Sequence, residues 1–106
     1  MRLLLDTHAF LWWLDGDRRL SMKARRALAS PTNTILVSAA DVAACVASQG
    51  FLPLEITILH AQRAGNLAGA HRDPFGRMLI AQSQIKDVAV VSDDQAFDEF
   101  DVRRFW

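Results

Sequence analysis

The sequence predicts an α/β domain, with a central parallel β-sheet flanked by α-helices. Three observations carry that reading. Short apolar runs alternate with stretches of helical periodicity along the chain. No repeat, low-complexity segment or linker interrupts the alternation. The 106 residues are enough for one domain. Strands that alternate with helices build βαβ units, and such units make parallel sheets.

The elements follow in order. Residues 2–6 (RLLLD) read as a buried strand, and residues 7–14 (THAFLWWL) as a helix with an aromatic face. Asp15-Gly16-Asp17 breaks that helix. Leu20, Ala24, Ala27 and Leu28 then recur at helical spacing, surrounded by Arg18, Arg19, Lys23, Arg25 and Arg26. Ser21 serves as N-cap and Pro31 as stop. Residues 34–38 (TILVS) form a second buried strand, and residues 39–50 an Ala-rich helix closed by Gly50. Residues 51–57 (FLPLEIT) form a third strand, placed at a sheet edge by Pro53. Thr57 caps a short helix containing His60. Asp73 as N-cap and Pro74 at N1 open a longer helix with an apolar stripe of Phe75, Met78, Leu79 and Gln82. Residues 88–92 (VAVVS) form a fourth strand, residues 93–100 one or two helical turns, and residues 102–106 a last strand. Trp12 and Trp13 are adjacent, so one is expected to face the core and the other the surface or a partner subunit.

Composition excludes several classes. Apolar residues make up 51% and charged residues 23%, the balance of a folded chain rather than a disordered one. Twelve Lys+Arg against 12 Asp+Glu give a formal net charge of +0. That rules out a strongly basic nucleic-acid coat but leaves room for a local basic face. The longest apolar run, residues 9–14, is too short to span a bilayer. Asp6 interrupts the leucines after Met1-Arg2 before a secretory core can form. A cytoplasmic chain with no membrane association is expected. Cys45 is the single cysteine, which excludes an internal disulfide. His8, His60 and His71 have no zinc-ligand spacing, and surface or packing roles are expected for them.

The chemistry is expected where parallel sheets bind ligands, at the carboxyl ends of the strands. Asp6 ends the first strand, Asp93 and Asp94 follow the fourth, and Asp73 opens the long helix. Clustered carboxylates repel one another until a cation joins them. Oxygen donors of this kind suit Mg²⁺ or Mn²⁺. Each acid also has an ordinary reading. Asp73 is a natural N-cap, and Asp93 or Asp94 can cap the short helix that follows. Asp6 has no capping partner beyond the N–H groups of residues 7–9, and function is favoured there. The basic cluster from Arg18 to Arg26 is an ordinary solvated helix face unless it flanks the acids, where it would contact an RNA backbone.

The strings "MRLLLDTHAFLWWL", "ILVSAA", "HRDPFGRMLIAQ" and "VVSDDQAF", in that order, resemble the PIN-domain toxins of bacterial toxin–antitoxin modules, the VapC type. The resemblance implies a single PIN-like domain over residues 1–106 and an Mg²⁺- or Mn²⁺-dependent endoribonuclease leaving 3′-hydroxyl and 5′-phosphate ends. It also implies a homodimer and a cognate antitoxin as partner. Residue by residue, Asp6 matches the family's first metal-binding acid and Asp94 the acid after the strand ending Ser/Thr-x-Asp. Asp73 matches the first Asp of Asp-Pro-Phe-Asp-Arg. Catalytic and metal-binding roles are therefore expected of Asp6, Asp73 and Asp94.

Two departures accompany the resemblance. Gly76 stands where the family has the second Asp of that motif. The family's Trp-Glu-Ile stretch after Ser-Ala-Ala, with its acid, is absent, which implies a shortened chain lacking a helical hairpin after residue 40. A weakened or inactive ribonuclease is expected, or a decayed PIN domain that persists as a dimerising or antitoxin-binding module. A distant alternative is a phosphatase of the haloacid-dehalogenase type with Asp6 as nucleophile, although His8 occupies the place of its second Asp. The apolar surface of residues 10–14 favours self-association.

Overall fold

The structure is a computed structural model that describes residues 1–38, 51–67 and 74–106. The elements in chain order are β1 (Arg2–Leu5), α1 (Thr7–Asp15), α2 (Met22–Ala29), β2 (Thr34–Ser38) and β3 (Leu52–Leu54). They continue with α3 (Ile58–Asn66), α4 (Pro74–Lys86), β4 (Ala89–Val91), a 3₁₀ helix (Gln95–Glu99) and β5 (Arg104–Phe105). Among the described residues the five strands form one parallel sheet in the order β3-β2-β1-β4-β5. The predicted α/β class and parallel sheet are both present.

β1 lies at the centre because it is apolar on both faces. Leu3, Leu4 and Leu5 are fully buried, and each such side chain contributes about 1.5–3 kcal/mol. Alternation along the strand sends them to opposite layers. Leu3 and Leu5 join Phe10, Leu20, Leu28 and Val37 on the side of α1 and α2. Leu4 joins Leu36, Leu79, Ile80 and Phe97 on the side of α4. The short edge strands follow the predicted logic. β3 carries Pro53 on the outside, and β5 closes the other edge with two residues.

Local signals set the helix ends. Gly16 closes α1 in the left-handed region at φ 65°, a conformation a side chain would strain. The Ser21 hydroxyl accepts from the Ala24 N–H at 3.0 Å and starts α2. Thr57 starts α3 with a capping box, in which His60 Nδ1 accepts from the Thr57 N–H at 3.2 Å. His60 therefore has the packing role expected of it.

Three expectations are corrected. The third strand ends at Leu54 rather than Thr57, because Thr57 is committed to the cap. The buried side of α4 holds Gly76, Leu79, Ile80 and Ser83 with Gln82, whereas Phe75 is 54% exposed. The buried face is thus turned from the predicted stripe. Trp12 and Trp13 do not divide between core and surface. Both are half-buried against the same core layer, Trp12 beside Trp106 and Trp13 beside Phe51. The Ala-rich helix of residues 39–50, the inferred missing hairpin, Cys45 and His71 lie outside the described residues. Among the described residues no helix is long and apolar enough to cross a membrane.

Candidate functional site

The parallel pairing of β1 and β4 brings two chain reversals side by side. Leu5 is in register with Val91, and the Asp6 N–H donates to the Val91 carbonyl at 3.0 Å. Asp6 and Ser92 therefore emerge together at the carboxyl edge of the sheet, beside the point where the strand order reverses direction. Asp6 occupies the N-cap position of α1, yet its side chain makes no capping hydrogen bond. Its Oδ2 instead accepts from the Ser92 hydroxyl at 2.8 Å. The same hydroxyl accepts from the Asp94 N–H at 3.0 Å. One buried serine thus fastens both predicted acids. Asp94 also caps the 3₁₀ helix, its Oδ1 accepting from the Ala96 N–H at 2.9 Å. The ordinary reading of Asp94 and its place at the site hold together.

Burial sets the electrostatics. Asp6 is 8% exposed, and desolvation pushes its carboxyl above the usual carboxylate range. The Ser92 hydroxyl and the nearby His8 oppose that rise, while the charge of Asp94 adds to it. Asp6 therefore senses the charge of Asp94. Arg104 lies behind them. It forks onto Asp98 at 2.9 and 3.0 Å and donates to the Ser92 carbonyl at 3.3 Å. Asp98 is held below its usual range by that guanidinium, and Arg104 is raised chiefly by Asp98, with Asp93 and Asp94 contributing.

Beside this edge runs an open groove of about 590 Å³, lined by His8, Trp12, Arg19, Asp93, Asp94 and Gln95. Arg19, from the basic cluster, lines the same groove as Asp93 and Asp94. Asp6 itself does not line the groove; it is buried next to the serine that anchors Asp94. A larger cavity, about 670 Å³, opens at the opposite end of the sheet among Arg63, Asn66, Ser83, Asp87 and Arg103.

The structure brings Asp6 and Asp94 to one edge. Asp73, the third acid, lies outside the described residues. Among the described residues no three His, Cys, Asp or Glu side chains cluster as a metal would need for an all-protein cage. Gly76 is buried in the first turn of α4. Ser92 and Arg104 were missed in the sequence. The signal for Ser92 was present, since a serine at the end of an apolar strand just before two acids is placed to hydrogen-bond them. Arg104 gave none, because its role depends on β5 lying beside β4.

No protein-family profile matches the chain, and no curated protein matches it in sequence. Among solved structures it is similar to a chain in the crystal structure of VapBC2 from Rickettsia felis bound to a DNA fragment from their promoter. The TM-score is 0.71 at 10% sequence identity, over 98% of this chain and 97% of that chain. At that identity the likeness is one of fold, and the fold is the PIN-like α/β arrangement.

Proposed function

We propose that the chain is an endoribonuclease of PIN type, dependent on Mg²⁺ or Mn²⁺ and belonging to a toxin–antitoxin module. The observation that carries this reading is the Asp6–Ser92–Asp94 linkage at the carboxyl edge. The donor set suits the ion. Mg²⁺ is commonly held by one or two carboxylates and completes its shell with water and substrate phosphate. Asp6 and Asp94 supply two carboxylates, and the raised pKa of Asp6 marks a buried charge without full compensation. A bound ion would supply a more acidic water and neutralise charge on a phosphodiester. Ser92 orients the Asp6 carboxylate and anchors the Asp94 backbone, and Arg104 tempers the negative potential of Asp93 and Asp94. Asp73, which directly precedes Pro74 in the sequence, is proposed as a third acid of this site. The fold likeness to the Rickettsia felis complex supports an antitoxin partner, and the exposed Leu11 and Leu14 on α1 support a homodimer.

Gly76 favours a second reading, a PIN domain with little or no catalysis that serves as a binding module. Calorimetric titration with Mg²⁺ and Mn²⁺, beside cleavage of a generic RNA, separates the two. The nuclease reading expects binding heat and weak cleavage, both lost in Asp6→Asn. Gly76→Asp is expected to raise cleavage, since its carboxylate would sit in a first turn that favours negative charge. Its buried position costs stability. Neither heat nor cleavage in any of these chains would favour the binding module.

A further inference from the structure

We propose that His8, Trp12 and Arg19 form a stacking platform that holds an unpaired base of single-stranded RNA beside the acid edge. The inference deepens the nuclease reading and rests on it for the identity of the ligand. All three side chains line the groove that Asp94 lines. Trp12 is the centre of the platform. The His8 ring lies 6.2 Å from it, and the Arg19 guanidinium lies 5.0 Å from its centroid. Trp106 braces Trp12 from the side, with ring centroids 5.8 Å apart in an edge-on arrangement.

Arg19 is preorganised for this task. Asp17 accepts from its backbone N–H at 2.9 Å and from its guanidinium at 2.8 and 3.2 Å. The fork is thus held before any ligand arrives, so little side-chain freedom remains to be lost on binding. The exposed guanidinium also lies near enough to Asp93 for that acid to influence it. The groove therefore brings acids, a cation and aromatic rings together. That set of chemistries matches one nucleotide. Its phosphate would lie toward the acids and their ion, and its base would lie on the rings.

The arrangement selects against duplex. Bases inside a helix are stacked on one another, whereas unpaired bases can be splayed onto aromatic rings or an Arg plane.

The test uses the full chain in EDTA, so that binding is read without cleavage. A fluorescein-labelled single-stranded RNA oligonucleotide and a hairpin duplex of the same composition are titrated by anisotropy, with tryptophan fluorescence followed in parallel. The single strand is expected to bind about tenfold more tightly and to quench tryptophan emission. Trp12→Leu should weaken binding about tenfold and remove most of the quench, as loss of a stacked base predicts. Trp12→Phe should retain most of the affinity. Arg19→Gln, at an exposed position that leaves the core intact, should weaken binding several-fold and flatten its salt dependence. Equal binding of duplex and single strand would overturn the platform, as would no saturable binding at micromolar protein. Wild-type affinity in Arg19→Gln and in a Trp12→Leu chain shown by its melt to be folded would do the same. Cleavage of the same oligonucleotide with Mg²⁺ is read separately. Cleavage lost in Asp6→Asn but untouched by Trp12→Leu sinks the platform and leaves the nuclease standing. Binding with the expected variant pattern but without cleavage does the reverse.

Discussion

The two ends of the sheet carry the same residue types and differ in what surrounds them. At the amino ends of β4 and β5, Asp87 and Arg103 meet at 3.2 Å with side chains 94% and 67% exposed. At the carboxyl ends of β1 and β4, Asp6 is buried and held by a neutral hydroxyl rather than a cation. The first end has the larger cavity. The larger cavity is therefore not the one beside the buried carboxylate. An exposed ion pair costs and contributes little. A buried carboxylate left partly uncompensated is expensive, and such groups concentrate at functional sites.

The comparison is tested most severely through activity. Asp6→Asn should lower RNA cleavage by about 100-fold or more, because even groups that only support a metal ligand are worth 10- to 100-fold. Asp87→Asn should leave cleavage unchanged. Equal effects of the two substitutions would remove the distinction between the ends.

Ser92→Ala comes next. It deletes a donor to the buried Asp6 and an acceptor for the Asp94 N–H. The expected cost is about 1–3 kcal/mol in urea denaturation. The Asp6 carboxyl should also move further up, readable by NMR titration. A neutral outcome would show that water replaces the hydroxyl at no cost.

A smaller effect concerns stability and pH. The Asp6 carboxyl is raised in the folded state from its usual 3.8. The folded chain therefore binds this proton more tightly than the unfolded chain. The stability that Asp6 contributes is complete below the usual value and falls as pH rises through the folded one. Asp6→Asn should then melt a few degrees higher than the native chain at neutral pH. The difference should vanish toward pH 3, and Mg²⁺ should stabilise only the native chain. Asp17 runs the other way. Arg19 lowers it to about 2, so its contribution is present above the unfolded value and fades as pH falls toward 2. A variant that melts lower at neutral pH would mean that Asp6 is compensated after all.

The smallest expected effect is at the amino end. Arg103→Ala should shift stability by no more than about 0.5 kcal/mol. A larger loss, measured by thermal melts, would show that the exposed end is built more tightly than its ion pair implies.

Much of the carboxyl edge was legible in the sequence because it obeys local rules. Three leucines running straight into an acid mark a buried strand ending in a charge. A second apolar strand ending in Ser-Asp-Asp marks its counterpart. The caps at Ser21 and Thr57 and the edge position of Pro53 were legible for the same reason, since each depends on a few neighbouring residues. The buried face of α4 was not. Periodicity gives the width of a stripe, but the angle at which the helix meets the sheet decides which residues fill it. Phe75 is exposed there, whereas Gly76 is buried.

The sequence by itself determined the alternation of strands and helices, the buried character of the leucine-rich strand and the acids at strand ends. These follow from hydrophobic periodicity and turn chemistry, which act over a few residues. Only the tertiary structure decided that β1 lies against β4, and with it that Ser92 bridges Asp6 and Asp94 across 86 residues of chain. It also decided that Arg19 and Trp12 share a groove with the acids while Asp87 and Arg103 stand in solvent at the far end. Burial and charge compensation belong to the packed molecule, because the cost of a charge depends on everything around it and not on its neighbours in sequence.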